Sequence, residues 1–169
     1  MPAEHHRRKA EKIEVKFCLL ITSDAVYDGR RKDELTPLVT NLMRNYGFNL
    51  SASIIVPNNE RLIEESITKL INEECDSIII TGGTGLSKRD ISVDIVKSLC
   101  SKEIPGFGEL FRYLTYLREG TLALASRAMA CLYADKIFFV IPGSKAAVKL
   151  ALEKLIFPEI KHLIYEIRK

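Results

Sequence analysis

Three runs of six or seven residues are apolar almost from end to end: Lys16–Thr22 (KFCLLIT), residues 76–81 (DSIIIT) and Lys136–Ile141 (KIFFVI). A strand with one face in water alternates apolar and polar side chains, whereas a strand covered on both faces does not need to. These runs therefore call for a central sheet with helices on each side. The intervening sequence supplies the helices. Leu35, Leu38, Val39, Leu42 and Met43 recur at three- and four-residue spacing, which predicts a helix over 33–46, ended by Gly47. A strand over Asn49–Val56 stops at Pro57, and Leu62, Ile63, Ile67, Leu70 and Ile71 mark a second helix with Asn58 or Asn59 at its N-cap. Helices are also expected over 91–100 and 107–117, a helix or a short hairpin over 121–133, and a last helix over 146–167, kinked or broken at Pro158. This alternation predicts one α/β domain over residues 13–169.

Charge and hydropathy remove several functions. The net charge is +3, but residues 1–12 carry Arg7, Arg8, Lys9 and Lys12 against Glu4 and Glu11. Residues 13–169 hold 21 Lys and Arg against 20 Asp and Glu. A near-neutral body gives no warrant for a nucleic-acid binder. The longest apolar stretches are about five residues, far short of the roughly 18 that a membrane span needs, so no membrane partner is expected. Without an apolar signal segment at the N-terminus, the expected location is cytoplasmic. Residues 1–12 lack periodicity and read as a disordered basic tail outside the fold. Cys18, Cys75, Cys100 and Cys131 form no C-x-x-C pair, and the expectation is four buried free thiols. No His/Ser/Asp or Cys/His constellation points to covalent catalysis.

The chemistry should sit where strands end, because ligands of open α/β sheets bind beyond the carboxyl ends of the strands. Directly after the DSIIIT strand comes Thr81-Gly82-Gly83-Thr84-Gly85. Three glycines in five positions let backbone amides approach a phosphate or a flat ring, and two threonines add hydroxyls. The loop fits neither the Walker nor the dinucleotide pattern. Asp90 and Asp94 follow at a spacing of four, so a helix starting by Asp90 would put both carboxylates on one face, a pair able to hold Mg²⁺. Helix capping is the alternative use of both. Pro142-Gly143-Ser144 follows the KIFFVI strand and Ser23-Asp24 the KFCLLIT strand, as candidate substrate-binding segments or as helix caps.

The combination of Ile80 to Gly85, Asp90-Ile91-Ser92, Pro105-Gly106-Phe107-Gly108-Glu109, Phe111-Arg112, Ser126-Arg127 and Pro142-Gly143-Ser144 resembles the molybdenum cofactor biosynthesis (MoaB/Mog) family over nearly all of residues 15–165. The segment 109–130 is closer to the MoaB branch. The resemblance implies a three-layer α/β/α domain with a mostly parallel mixed sheet, assembled as a homo-oligomer, a trimer or a hexamer. It implies binding of molybdopterin and, in active members, its adenylylation by ATP with Mg²⁺, releasing pyrophosphate. Carried onto this sequence, Thr81 to Gly85 would line the pterin and phosphate pocket, Asp90 would be the essential catalytic carboxylate that binds or orients the metal, and Ser126, Arg127 and Ser144 would border the cleft; Asp94 is a metal candidate on its spacing from Asp90 alone. Lys88, Arg89, Arg112 and Arg127 would concentrate positive potential there. Two departures stand out: Asn58 and Asn59 replace a pair of often acidic positions, and Thr36 replaces a usual glycine. The first leaves a non-catalytic molybdopterin-binding protein as the alternative reading.

Overall fold

The structure, a computed structural model, describes residues 10–169. In chain order the elements are β1 (Lys16–Thr22), a one-turn α1 (Asp24–Tyr27), α2 (Leu35–Asn45), β2 (Asn49–Val56), α3 (Glu60–Ile71), β3 (Ser77–Thr81), α4 (Ser92–Leu99), β4 (Lys102–Glu103) and α5 (Pro105–Glu119). A 3₁₀ segment (Gly120–Ala125), β5 (Met129–Tyr133), β6 (Lys136–Ile141), α6 (Lys145–Ala151), a π turn (Leu152–Ile156) and α7 (Phe157–Ile167) complete the chain. The strands form one sheet in the order β2-β1-β3-β6-β5-β4. β2, β1, β3 and β6 pair in parallel, while β5 runs against both β6 and β4. It is the three-layer mixed sheet that the resemblance implied.

The wholly apolar strands explain the layering, since successive side chains point to opposite faces of the sheet. Phe17, Leu19 and Ile21 of β1 join Ile79 and Phe139 in a core with Val39 and Met43 of α2, Phe107 and Phe111 of α5, and Val148, Ile160 and Ile164 of α6 and α7. Cys18, Leu20, Ile78, Ile80 and Phe138 point the other way, onto Ile63, Ile67 and Leu70 of α3 and Val93 and Val96 of α4.

Local choices follow the expected chemistry and settle three points that the sequence leaves open. Asn59, rather than Asn58, caps α3, its side chain accepting from the Leu62 N–H at 3.0 Å. The uncertain stretch 121–133 divides: its first part is the 3₁₀ segment, and its second pairs with β6 through a two-residue turn, Ala134-Asp135, both at positive φ. Pro158 does not break the last helix sharply. The chain widens into the π turn and restarts at Phe157, with the proline in the first turn of α7, where an absent N–H costs nothing.

Two readings of the termini and thiols change as well. Residues 1–9 of the expected tail lie outside the described residues, but Ala10 is buried and its carbonyl accepts from the Ile13 N–H, so the fold starts earlier than residue 13. Cys100 and Cys131 are joined in a disulfide, with Cα atoms 5.8 Å apart, because the end of α4 packs against β5. Only Cys18 and Cys75 remain as buried free thiols. Among the described residues no helix is long and apolar enough to cross a membrane.

Candidate functional site

β1, β3 and β6 lie side by side and end together, with Ile21 opposite Thr81 and Thr81 opposite Ile141. Their carboxyl ends open into a cleft of about 610 Å³ whose wall includes the whole Thr81 to Gly85 loop, Ser23, Asp24, Asp90, Gly143 and Ser144. Nine residues predicted from separate parts of the sequence, plus Asp90, thus meet in one place.

The loop is held by its own backbone. The Gly82 N–H donates to the Ile141 carbonyl at 3.0 Å, and the Gly83 carbonyl accepts from Ser92 at 3.1 Å. Gly82 has φ +101 and Gly83 φ +64, a region disfavoured for residues with a Cβ. A methyl on Gly82 would strike the Thr22 carbonyl oxygen, and one on Gly83 the Ser92 hydroxyl. Beneath the loop the buried Thr22 and Ser92 hydroxyls are 3.1 Å apart and hydrogen-bonded. The Thr81 hydroxyl donates to the Pro142 carbonyl at 3.0 Å, so Thr81 frames the cleft and ties the loop to residues 142–144.

Two carboxylates face the cleft. Asp24 accepts from the Asn58 backbone N–H at 2.9 Å and from Arg89 Nε and Nη2 at 2.9 and 2.6 Å. The Asn58 N–H, helped by Arg89 and opposed by burial, holds its pKa below the usual aspartate value. Asp90 accepts from the Ser87 hydroxyl at 2.5 Å and the Ser87 N–H at 3.1 Å, and the hydroxyl is the main reason that its pKa is also lowered. Both are anions at neutral pH.

Asp94 does not join them. α4 begins at Ser92, two residues later than a shared face would require, and Asp94 instead pairs with Arg127 at 2.9 and 3.1 Å. Arg127 lies behind the glycine loop, donating to the Gly85 and Asp90 carbonyls, and borders a separate pocket of about 330 Å³ with Asp94. Ser126 and Pro142 border a third, of about 250 Å³, which shares Thr84, Gly85 and Ser144 with the cleft. The positive potential is also arranged differently. Arg112 and Arg127 are occupied by backbone carbonyls, and the cationic side chains lining the cleft are Arg30 and Arg31. Their signal was the Gly29-Arg30-Arg31-Lys32 string in the loop that leaves β1. Asn58, a candidate cap and the replacement of an often acidic position, lines the cleft instead of capping α3, and its buried Oδ1 has no hydrogen-bond partner among the described residues.

Comparison with known proteins gives this site its context. The family described as "Probable molybdopterin binding domain" matches residues 18–162. The chain belongs to that family. Molybdenum cofactor biosynthesis protein B of Bacillus subtilis (strain 168) is 36% identical over 100% of this chain and 99% of its own length. The protein of the same name from Staphylococcus aureus (strain MRSA252) is 54% identical over 68% of this chain and 69% of its own. Among solved structures, a molybdenum cofactor biosynthesis protein B superposes with a TM-score of 0.85 at 34% identity, covering 92% of this chain and 97% of that one. The tungsten cofactor synthesizing protein MoaB from Pyrococcus furiosus superposes with 0.86 at 31% identity, covering 92% and 98%. This family member accordingly carries a molybdopterin-binding domain of molybdenum cofactor biosynthesis, of the MoaB type.

Proposed function

We propose that the protein adenylylates molybdopterin in the cytoplasm, using ATP and Mg²⁺ and releasing pyrophosphate. The observation that carries this reading is the meeting of a glycine-rich backbone cradle with two ionised carboxylates, Asp24 and Asp90, at the ends of β1, β3 and β6. Mg²⁺ takes one or two protein carboxylates together with substrate phosphates, so the residues present fit it without a larger cluster. Among the described residues no group of three or more His, Cys, Asp and Glu could hold a metal. Bound there by Asp90 and Asp24, the ion would neutralise phosphate charge.

In the reaction, an oxygen of the pterin's terminal phosphate forms a bond to the α-phosphorus of ATP as the bond to the departing pyrophosphate breaks. The acceptor phosphate is itself the nucleophile, so the chain need not supply one. Its task is to align the two substrates and offset their charge. The Gly83 to Gly85 backbone would seat phosphate oxygens at close range, Ser144 and Ser23 would border the seat, and Arg30 and Arg31 would face the polyphosphate. Asp90→Asn keeps the shape but removes the charge; turnover should be lost with molybdopterin binding retained. Full activity in that variant refutes the assignment.

A second reading, a non-catalytic molybdopterin-binding protein, is favoured by Asn58 and Asn59 at often acidic positions, of which Asn58 lines the cleft and Asn59 caps α3. Assembly as a trimer or hexamer also belongs to the proposal. Leu110, Tyr113, Tyr116 and Leu117 of α5 and Leu122 and Leu124 of the 3₁₀ segment are each more than half exposed, more apolar surface than one chain leaves in water without use. Sedimentation as a 19.1 kDa monomer contradicts it.

A further inference from the structure

Arg127 grips both ends of the turn carrying Asp90. Its Nε donates to the Gly85 carbonyl at 2.9 Å and its Nη2 to the Asp90 carbonyl at 2.7 Å, while Nη1 meets both oxygens of Asp94. The turn is six residues long, and the Asp90 carboxylate folds back inside it onto Ser87. The fit is close: a methyl on Gly85 would stand 2.8 Å from Asp90 Oδ2. The carboxylate's position is therefore set by how far apart the turn's two ends are held, and Arg127 sets that distance.

The support for Arg127 is equally specific. It precedes β5, and Asp94 belongs to α4, so the ion pair ties α4 to the start of β5. The Cys100–Cys131 disulfide ties the same helix to the same strand further along. Two cross-links of similar span, 94 to 127 and 100 to 131, leave the helix little freedom to rotate. The Arg127 side chain is 29% exposed and borders the pocket behind the loop, not the cleft.

We infer that Arg127 is a positioning residue: its planar fork fixes the Gly85 to Asp90 turn, and through it the Asp90 carboxylate, without touching the ligand. A point charge would not do the same, because only a guanidinium reaches two carbonyls and a carboxylate in fixed directions. Asp94, expected from the sequence to bind metal, serves as the anchor of this fork. The consequence for turnover rests on the adenylylation reading; the consequence for the turn does not.

The test uses the full chain with Arg127→Lys, Arg127→Gln and Asp94→Asn. Amide hydrogen exchange across residues 85–90 should quicken by about 10-fold or more in both Arg127 variants, with β3 amides unchanged, and by less in Asp94→Asn. Asp94→Asn should add nothing in the Arg127→Gln background, since the two residues act as a unit. For turnover, kcat should fall by about 10- to 100-fold while the KM values for ATP and molybdopterin stay within about threefold. Wild-type exchange in either Arg127 variant, or restoration by Lys, overturns the proposal. A raised KM with unchanged kcat also overturns it, by showing that Arg127 contacts ligand. If the wild-type chain releases no pyrophosphate, the adenylylation reading fails while the exchange measurement still decides the role of Arg127.

Discussion

Gly82→Ala places one methyl group where the structure has no room for it. At φ +101 a residue with a Cβ carries a backbone cost of about 1–2 kcal/mol. The new carbon would also strike the Thr22 carbonyl, part of β1 rather than the tip of a flexible side chain. Relief requires β1 and β3 to part at the ends that frame the cleft, an overpacking cost of about 1–3 kcal/mol. Together these give about 2–5 kcal/mol. For a chain of this size each kcal/mol lowers Tm by about 2–4 °C, so the variant should melt roughly 4–20 °C below the parent. Gly106→Ala is the matched control: Gly106 lies in the first turn of α5, and its added methyl meets nothing within 4 Å. It should be neutral or gain about 0.4–1 kcal/mol. Thermal unfolding followed by far-ultraviolet circular dichroism measures both. A Gly82→Ala protein that melts within about 2 °C of the parent would refute the claim that the loop is built on backbone contact with β1.

Three further outcomes follow from the same geometry. Reducing Cys100–Cys131, or Cys131→Ser, opens a 31-residue span and should cost about 2–4 kcal/mol, read as a lower Tm with reductant that the Ser variant no longer shows. Asp24 and Asp90 have pKa values lowered on folding, so they stabilise the fold above the ordinary aspartate value of 3.8, and that stability is lost as pH falls through the lower folded values. On their account Tm should be flat from about pH 8 to 5 and decline only below about pH 4, with a shallower acid decline in Asp24→Asn or Asp90→Asn; an identical decline in both refutes the pairing described for them. Replacing Ala134-Asp135, at φ 51 and 58, by Asn-Gly suits a two-residue turn with positive φ and should raise stability by about 1 kcal/mol; a lower Tm would contradict the turn's assignment.

Much of the fold was legible because its central strands leave no ambiguity. KFCLLIT and KIFFVI have no polar face to present to water, and both are covered in the structure by helices on each side. Within 101–133 the helix expected over 107–117 is present as α5, but the stretches on either side of it resisted because their letters do not report burial. Leu122 and Leu124 are 73% and 86% exposed, so their apolar character carries no helical or strand period, and β4 is two residues long. The disulfide was invisible for a related reason: Cys100 and Cys131 become neighbours only through the packing of α4 on β5, which no local spacing records.

The cleft shows the same division. Glycines at positive φ, a carboxylate after the loop and small residues at strand ends can be read from order alone, and they converge. Which way a side chain turns cannot. Asp94 faces away because α4 starts at Ser92, and Arg127, expected beside the ligand, serves the loop from behind. Arg30 and Arg31, which no motif singles out, enter the cleft because α1 folds their loop back over the end of β1.

The central claim is that this cleft joins two substrates rather than holding one. Purified protein mixed with molybdopterin and Mg-ATP should release pyrophosphate in step with adenylyl-molybdopterin, and neither product should form when molybdopterin or Mg²⁺ is left out. Tight molybdopterin binding with no pyrophosphate released would contradict the account and leave the protein as a carrier of the pterin.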